Sequence, residues 1–530
     1  MILKLNSLFL MMKASHYVLI TSIINTIFFN LILFSFVVEN TDVLSASGAV
    51  ILLSVFLIAF TFTFTFASIV TLISPILLKI FLGVTAIINA MAIYYMANYQ
   101  VVLDKTMMGN IFNTEYSESS ELITFKLLLF IVFIGLIPAY FYIKLKINRL
   151  DRGKVAINGV IGLITSILIL YLNASSWLWI DKYASLLGGK ILPWSYIINT
   201  NRYYASLNNS TDGQMPLPDG QFSNTKKMVF VLVIGETARS DNFSLYGYPK
   251  NTNPKLQQTP NLLVFKNTQS CTTYTTGSLA CMLSHTEKVA NFEALPTYLA
   301  RHGADVIWRT NNWGEPAIDV SSYVKASDLR SSCQGEGCRL DEALLTNLIE
   351  TIESSTKQKI FIVLHTKGSH GPSYYSRYTA SFNQFKPVCR DEEISKCTSQ
   401  ELINAYDNTI LYTDHFLATL IAKLESLQSI PSAMMYISDH GESLGEQGLY
   451  LHGTPYSFAP DYQKNIPFLL WASDSMQSHK QIDLEFIQQG ESHTHFNVFH
   501  TVLGAFDFQS PIYKKELDVL NQNISPNLRE

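Results

Sequence analysis

Two short runs hold the residues best able to do chemistry. Ser438-Asp439-His440-Gly441-Glu442-Ser443 follows the apolar stretch Met434-Met435-Tyr436-Ile437. Such a stretch ahead of turn residues reads as a buried strand. Gly235-Glu236-Thr237 follows Val231-Leu232-Val233-Ile234 in the same way. In an open α/β sheet, ligands gather beyond the carboxyl ends of strands. Two strand ends can therefore bring Glu236, Asp439 and His440 to one cation, and that mixture of oxygen and nitrogen donors suits zinc. Taken singly, a strand-end acid is more often a helix cap or a surface charge.

Two further places strengthen the reading. Cys271-Thr272-Thr273-Tyr274-Thr275-Thr276-Gly277-Ser278-Leu279-Ala280-Cys281 crowds hydroxyls ahead of a helix start. Free amides and a partial positive charge at a helix start favour a phosphate. A threonine hydroxyl is a poor nucleophile until a metal lowers its pKa. Without the other places, a Thr-rich loop reads as capping and turn chemistry. His370 and His452 each precede a glycine in a loop near the same edge. They suit phosphate oxygens, a second zinc, or protonation of a leaving group.

The elements that must position these residues lie in the second part of the chain. Strands are predicted at 228–234, 304–308, 359–364, 433–437 and 467–471, and helices at 277–286, 341–353, 401–427 and 496–506. The longest helix carries Leu402, Tyr406, Ile410, Thr413, Leu417, Leu420 and Ile421 on one face. Alternating strands and helices imply a mostly parallel sheet sandwiched by helices.

The first part is different. Apolar stretches near 16–38, 48–72, 75–97, 123–145 and 156–174 are long enough to cross a bilayer, which takes roughly 20 residues each. Lys4 and Lys13 precede the first stretch, and Lys144, Lys146, Arg149, Arg152 and Lys154 separate the fourth from the fifth. Acids (Glu39, Asp42, Asp104, Glu115, Glu118, Glu121) follow the first and third. Basic loops stay in the cytoplasm, so the N-terminus is expected inside and the large C-terminal part outside. The repeated long spans argue against a cleaved signal peptide.

All six cysteines lie in that exterior part, in close pairs: Cys271 with Cys281, Cys333 with Cys338, Cys389 with Cys397. An even count in local pairs fits three disulfides in an oxidising compartment. Reduced thiols are the bland alternative, and a zinc cluster lacks the CxxC spacing. The net charge of −4, with no Lys/Arg stripe, argues against nucleic-acid binding. The expected division is a transmembrane domain at 1–174, an aromatic interfacial helix and flexible linker at 175–225, and a catalytic domain at 226–530.

The blocks VIGETARSDNFSLYGY, CTTYTTGSLAC, HTKGSHGP and ISDHGESLGEQGLYLHG resemble, in order, the signatures of the phosphoethanolamine transferases of Gram-negative inner membranes. That family includes the lipid A modifying enzymes behind polymyxin resistance. The resemblance implies an alkaline phosphatase/sulfatase-like fold behind five spans, with the catalytic domain in the periplasm. It implies a catalytic zinc on Glu236, Thr275, Asp439 and His440, and Thr275 as the nucleophile that carries phosphoethanolamine. It implies His370 and His452 at the phosphate or a second zinc. The donor would be phosphatidylethanolamine and the acceptor lipopolysaccharide, with lipid A first. Asn110, Thr114 and Glu118 are spaced i, i+4, i+8, one face of a helix; the family pattern places such residues at the lipid substrate.

One segment departs from the pattern. After Asn311-Asn312 the chain reads Trp313-Gly314-Glu315-Pro316, without the lysine of familiar lipid A enzymes, so the acceptor can differ: a core sugar or a surface protein. A membrane phosphoglycerol transferase or a sulfatase-like hydrolase shares the fold. The sulfatase nucleophile motif, Cys/Ser-x-Pro-x-Arg, is absent around Thr275. A non-catalytic membrane sensor with a degenerate enzyme domain would have lost a ligand or nucleophile; all are present.

Overall fold

The computed structural model describes residues 11–114, 119–120, 122–172, 177–208, 214–287, 291–391, 394–484, 487 and 491–521. The chain divides into two units between Leu207 and Asn208.

In the first unit, Ala46–Ile73, Pro75–Tyr99, Phe125–Lys144 and Arg152–Ile169 are long and apolar enough to cross a membrane. The stretch expected as a first straight span is instead two helices, Ala14–Phe28 and Leu31–Glu39, bent by 51°. Asn30 explains the break. Its side chain accepts from the Leu192 amide at 2.7 Å and donates to the Leu192 carbonyl at 3.0 Å and the Asn25 carbonyl at 3.3 Å. A buried amide bonded to another segment holds the backbone off helical geometry. Among the described residues, the helices long and apolar enough to span number four, or five if the bent pair is one.

Small and hydroxyl residues let the spans approach. A Cβ at Gly159 would stand 3.1 Å from that of Ser68, and Ser166 donates to the Thr61 hydroxyl at 2.5 Å. Met11–Lys13 pairs in parallel with Lys146–Arg149. That pairing brings Lys13, Lys146 and Arg149 together. The aromatic region forms three helices, Trp177–Lys182, Ala184–Lys190 and Trp194–Asn208. Trp194 is buried against Phe62 and Phe66, with its indole N–H on Thr63.

The second unit is built on seven strands, numbered in chain order: β1 Met228–Gly235, β2 Leu262–Phe265, β3 Asp305–Thr310, β4 Ser322–Lys325, β5 Lys359–His365, β6 Ser432–Ser438 and β7 Phe468–Ala472. Their spatial order is β2-β7-β6-β1-β5-β3-β4. The five strands from β6 to β4 run parallel, and β7 opposes both of its neighbours. Every residue of β1, β5 and β6 is buried, which both-face coverage by helices produces. β2 and β4 were not foreseen, being four residues each at or near the sheet's edges. Helix Ser399–Glu425 opens with a Thr398–Glu401 capping box. The helix expected over 341–353 is two pieces, Asp341–Leu345 and Leu348–Ser354, parted at left-handed Asn347.

The tail of the expected linker is structured. Leu217 is buried with its amide on Glu293, and Gln221–Phe222 pairs with Phe508–Gln509. All three cysteine pairs are joined as disulfides.

Candidate active site

Register places the ligands. Ser438 lies opposite Gly235, and Ile234 opposite His365. The next residues, Asp439, Glu236 and Thr366, therefore emerge side by side at the carboxyl edge of three adjacent parallel strands. One ligand atom from each of Glu236, Asp439 and His440 falls within 4.8 Å of the others, and all three residues are buried. The Thr275 hydroxyl completes the group, 3.4 Å from both Glu236 oxygens and from His440 Nε2.

The turn after β1 is shaped to serve this point. Thr237 is left-handed, at φ 57°, a conformation that costs a β-branched residue about 1–3 kcal/mol. In return its amide donates to Asp439 Oδ1 at 2.9 Å and its hydroxyl to Glu236 Oε1 at 2.6 Å. Asn312 donates to Glu236 Oε2 at 2.7 Å.

His440 Nδ1 faces the Gly441 carbonyl at 3.0 Å. A carbonyl only accepts, so Nδ1 carries the proton and Nε2 turns a lone pair toward the carboxylates. Nε2 lies 3.1 Å from Asp439 Oδ2, a buried oxygen with no hydrogen-bond donor among the described residues. Lone pairs from two acids and a neutral imidazole thus converge on one buried point. Burial raises Glu236, helped by Asp439 beside it. It pushes Asp439 up to about 6 and His440 down to about 3. A dication reverses this penalty for each group, and the O, O, N and hydroxyl donor set fits zinc.

Thr275 is the first residue of helix Thr275–Met282, two positions earlier than expected, so its hydroxyl sits at the helix end where first-turn amides lack helical partners. The Cys271–Cys281 disulfide closes the loop around it. The 452–454 loop docks there, with Thr273 donating to the Thr454 carbonyl and the Gly453 amide to the Thr273 carbonyl. His452 thereby lies 4.2 Å from His440 and 5.6 Å from His370, ring centre to ring centre. The loop bearing His370 is held at Gly368, φ 50°, where a Cβ would stand 2.7 Å from the Glu236 carbonyl oxygen. Asp341 fixes the same loop by accepting from the Lys367 and Gly368 amides.

The structure brings together Glu236, Thr275, Asp439, His440, His370 and His452. Asn110 lies in helix Lys105–Asn113, which ends before Thr114. The expected helical row therefore stops at Thr114, whose hydroxyl and amide turn back onto the Asn110 carbonyl. Glu118 lies outside the described residues.

Three residues were not singled out from sequence. Glu442 is fully buried, with Oε2 3.3 Å from His452 Nδ1 and Oε1 without a hydrogen-bond partner among the described residues; burial drives its pKa well up. Arg239 joins the two strand ends, donating to Asn242, the Glu442 carbonyl and Glu446. Asn312 is the third. Glu442 and Arg239 lay inside quoted blocks and Asn312 in the departing segment, but side-chain reach across the edge is invisible along the chain.

A family model described as "Phosphoethanolamine transferase EptA/EptB" matches residues 58–207, and one described as "Sulfatase" matches 229–508. The phosphoethanolamine transferase EptA of Helicobacter pylori is 39% identical over 85% of this chain and 86% of its own. The phosphatidylethanolamine transferase Mcr-1 of Escherichia coli is 30% identical over 81% of this chain and 84% of its own. The solved lipooligosaccharide phosphoethanolamine transferase A of Neisseria meningitidis superposes with a TM-score of 0.86 at 30% identity, covering 96% of this chain and 99% of that one.

Proposed function

Since the chain belongs to the phosphoethanolamine transferase family, we propose that it moves phosphoethanolamine from phosphatidylethanolamine to lipopolysaccharide, lipid A first, by way of a phosphorylated Thr275. The observation that carries this reading is the Thr275 hydroxyl, 3.4 Å from both Glu236 oxygens and His440 Nε2. The relatives' names support donor and acceptor: one is a phosphatidylethanolamine transferase, another acts on lipooligosaccharide.

Glu236, Asp439, His440 and Thr275 would hold zinc. When bound there, zinc supplies a Lewis acid that lowers the hydroxyl's pKa and offsets charge on the phosphoryl group. Thr275 Oγ, its proton already released to solvent, attacks phosphorus. The new Oγ–P bond forms as the bond from phosphorus to the diacylglycerol oxygen breaks. His370 or His452 protonates that oxygen, and Glu442 orients His452 through Nδ1. The first-turn amides receive the phosphoryl oxygens. In the second step an acceptor oxygen attacks the same phosphorus, gives up its proton to the same histidines, and releases Thr275. Covalent capture divides one hard transfer into two. Diacylglycerol stays in the bilayer, which accounts for a membrane unit joined to the catalytic one. The catalytic unit is assigned to the periplasm and the spans to the inner membrane. In the membrane unit, Asn110, Thr114 and Glu118 are assigned to the lipid substrate.

Purified protein in detergent, incubated with phosphatidylethanolamine and weighed intact, tests this. One added phosphoethanolamine mapped to Thr275, absent in Thr275→Ala, is the expected result. No adduct and no diacylglycerol from folded, zinc-loaded protein would sink it. Phosphatidylglycerol in the same assay separates the phosphoglycerol alternative.

A further inference from the structure

His495 stands outside every block that the function absorbs, yet it is fully buried at the head of helix Phe496–Ala505. The fold puts it there by pairing. Ser492–Thr494 runs parallel to Asn267–Gln269, with Thr494 opposite Gln269. Continuing both segments by a residue or two brings His495 beside Ser270 and Cys271. Its ring then spans a gap: Nδ1 is 3.3 Å from the Cys271 amide and Nε2 is 2.9 Å from the Ser438 carbonyl. An amide only donates and a carbonyl only accepts. The tautomer is therefore set, with Nε2–H donating to Ser438 and Nδ1 accepting from Cys271. Burial holds its pKa down to about 4, so the ring stays neutral at ordinary pH.

The two backbone groups are well placed. Cys271 opens the disulfide loop whose helix begins at Thr275. Ser438 ends β6, immediately before Asp439-His440. Leu279 and Met282 of the Thr275 helix and Val498 and Val502 of the His495 helix share one apolar core. Apolar contacts set that helix coarsely because they are non-directional. Hydrogen bonds at both ring nitrogens are directional and add the finer constraint.

We propose that His495 is a positioning residue for phosphoryl transfer: its neutral imidazole fixes how far Thr275 stands from the Asp439-His440 strand end. The proposal rests on the reading of Thr275 as nucleophile. His500, on the same helix, offers a built-in control. It is equally buried and bonded to two backbone groups, the His285 carbonyl and the Lys514 amide, neither of which belongs to the site.

The test uses full-length, zinc-loaded protein in detergent and single-turnover modification of Thr275 by phosphatidylethanolamine, followed by intact mass. His495→Ala is expected to lower the plateau rate by about 10²-fold, the effect of a misplacement near 1 Å, with the half-saturating donor concentration unchanged. His495→Asn keeps the acceptor toward Cys271 and His495→Gln the donor toward Ser438, so each recovers part of the rate. His500→Ala lowers the melting temperature without slowing the step. A second readout needs no turnover: zinc affinity by chelator competition. His495→Ala is expected to weaken zinc more in the native background than together with Thr275→Ala, a non-additive cycle.

An unchanged plateau rate in His495→Ala would overturn the proposal. So would equal losses in all three variants that track melting temperature, or additive effects on zinc. If the unsubstituted protein forms no adduct, the nucleophile reading fails by itself, and the zinc cycle still decides whether His495 is coupled to Thr275.

Discussion

Asp439 Oδ2 is the atom that most constrains the site's chemistry: a buried carboxylate oxygen facing an imidazole lone pair, with no donor among the described residues. A cation relieves both groups at once. Asp439→Asn replaces one of its oxygens with an amide nitrogen that cannot ligate, so the expected outcome is protein that folds but retains little zinc, read by elemental analysis after gel filtration. In the proposed reaction His452 is a candidate general acid rather than a ligand of the first zinc. Its Nδ1 lies 3.3 Å from Glu442, so His452→Ala should keep the first zinc and slow adduct formation by about 10²-fold or more, the usual effect of a lost general acid. Rapid-quench mass spectrometry measures that rate. At this scale the sequence was informative: Glu236, Thr275, Asp439, His440, His370 and His452 all carried a signal in type and neighbourhood. Glu442 and Asn312 did not, because their importance lies in what they touch across the sheet edge.

At the scale of elements, the site depends on tight approaches between loops. Gly368 shows this best. An added Cβ would meet the Glu236 carbonyl oxygen at 2.7 Å, in a backbone conformation that side chains rarely adopt. Gly368→Ala should therefore destabilise the fold by about 1–3 kcal/mol and displace both Glu236 and the His370 loop, lowering the melting temperature and zinc retention together. The apolar runs that became β1, β5 and β6 were plain from sequence because strands buried on both faces read as continuous hydrophobic segments. β2 and β4 were lost because four residues cannot display a period. The bend in the first membrane segment was lost for another reason: Asn30 looked like one polar residue in an apolar run, and its partner Leu192 is remote in the chain.

The whole catalytic unit carries a pH signature. His500 is buried, and its pKa is held down to about 4, chiefly by that burial. An unfolded chain binds a proton at the ordinary histidine value of about 6.5, before the folded one does. Between those values the unfolded state holds more protons, so stability contributed by neutral His500 is full above pH 6.5 and is lost as pH falls toward 4. Melting temperature should decline over that range, and His500→Gln should flatten part of the decline. A curve identical to that of the unsubstituted protein would reject the assignment.

The three disulfides have a consequence for how the molecule is made. Each joins cysteines adjacent in order along the chain, separated by 10, 5 and 8 positions. If the catalytic unit is exported as proposed, each cysteine's correct partner is the next to emerge, before any wrong one has arrived. Oxidation in order of appearance gives the native pattern with nothing to reshuffle. Maturation should therefore require a thiol oxidase but no disulfide isomerase, and a host lacking only the isomerase should yield fully oxidised protein. Such a chain carries its assembly schedule in its own cysteine order.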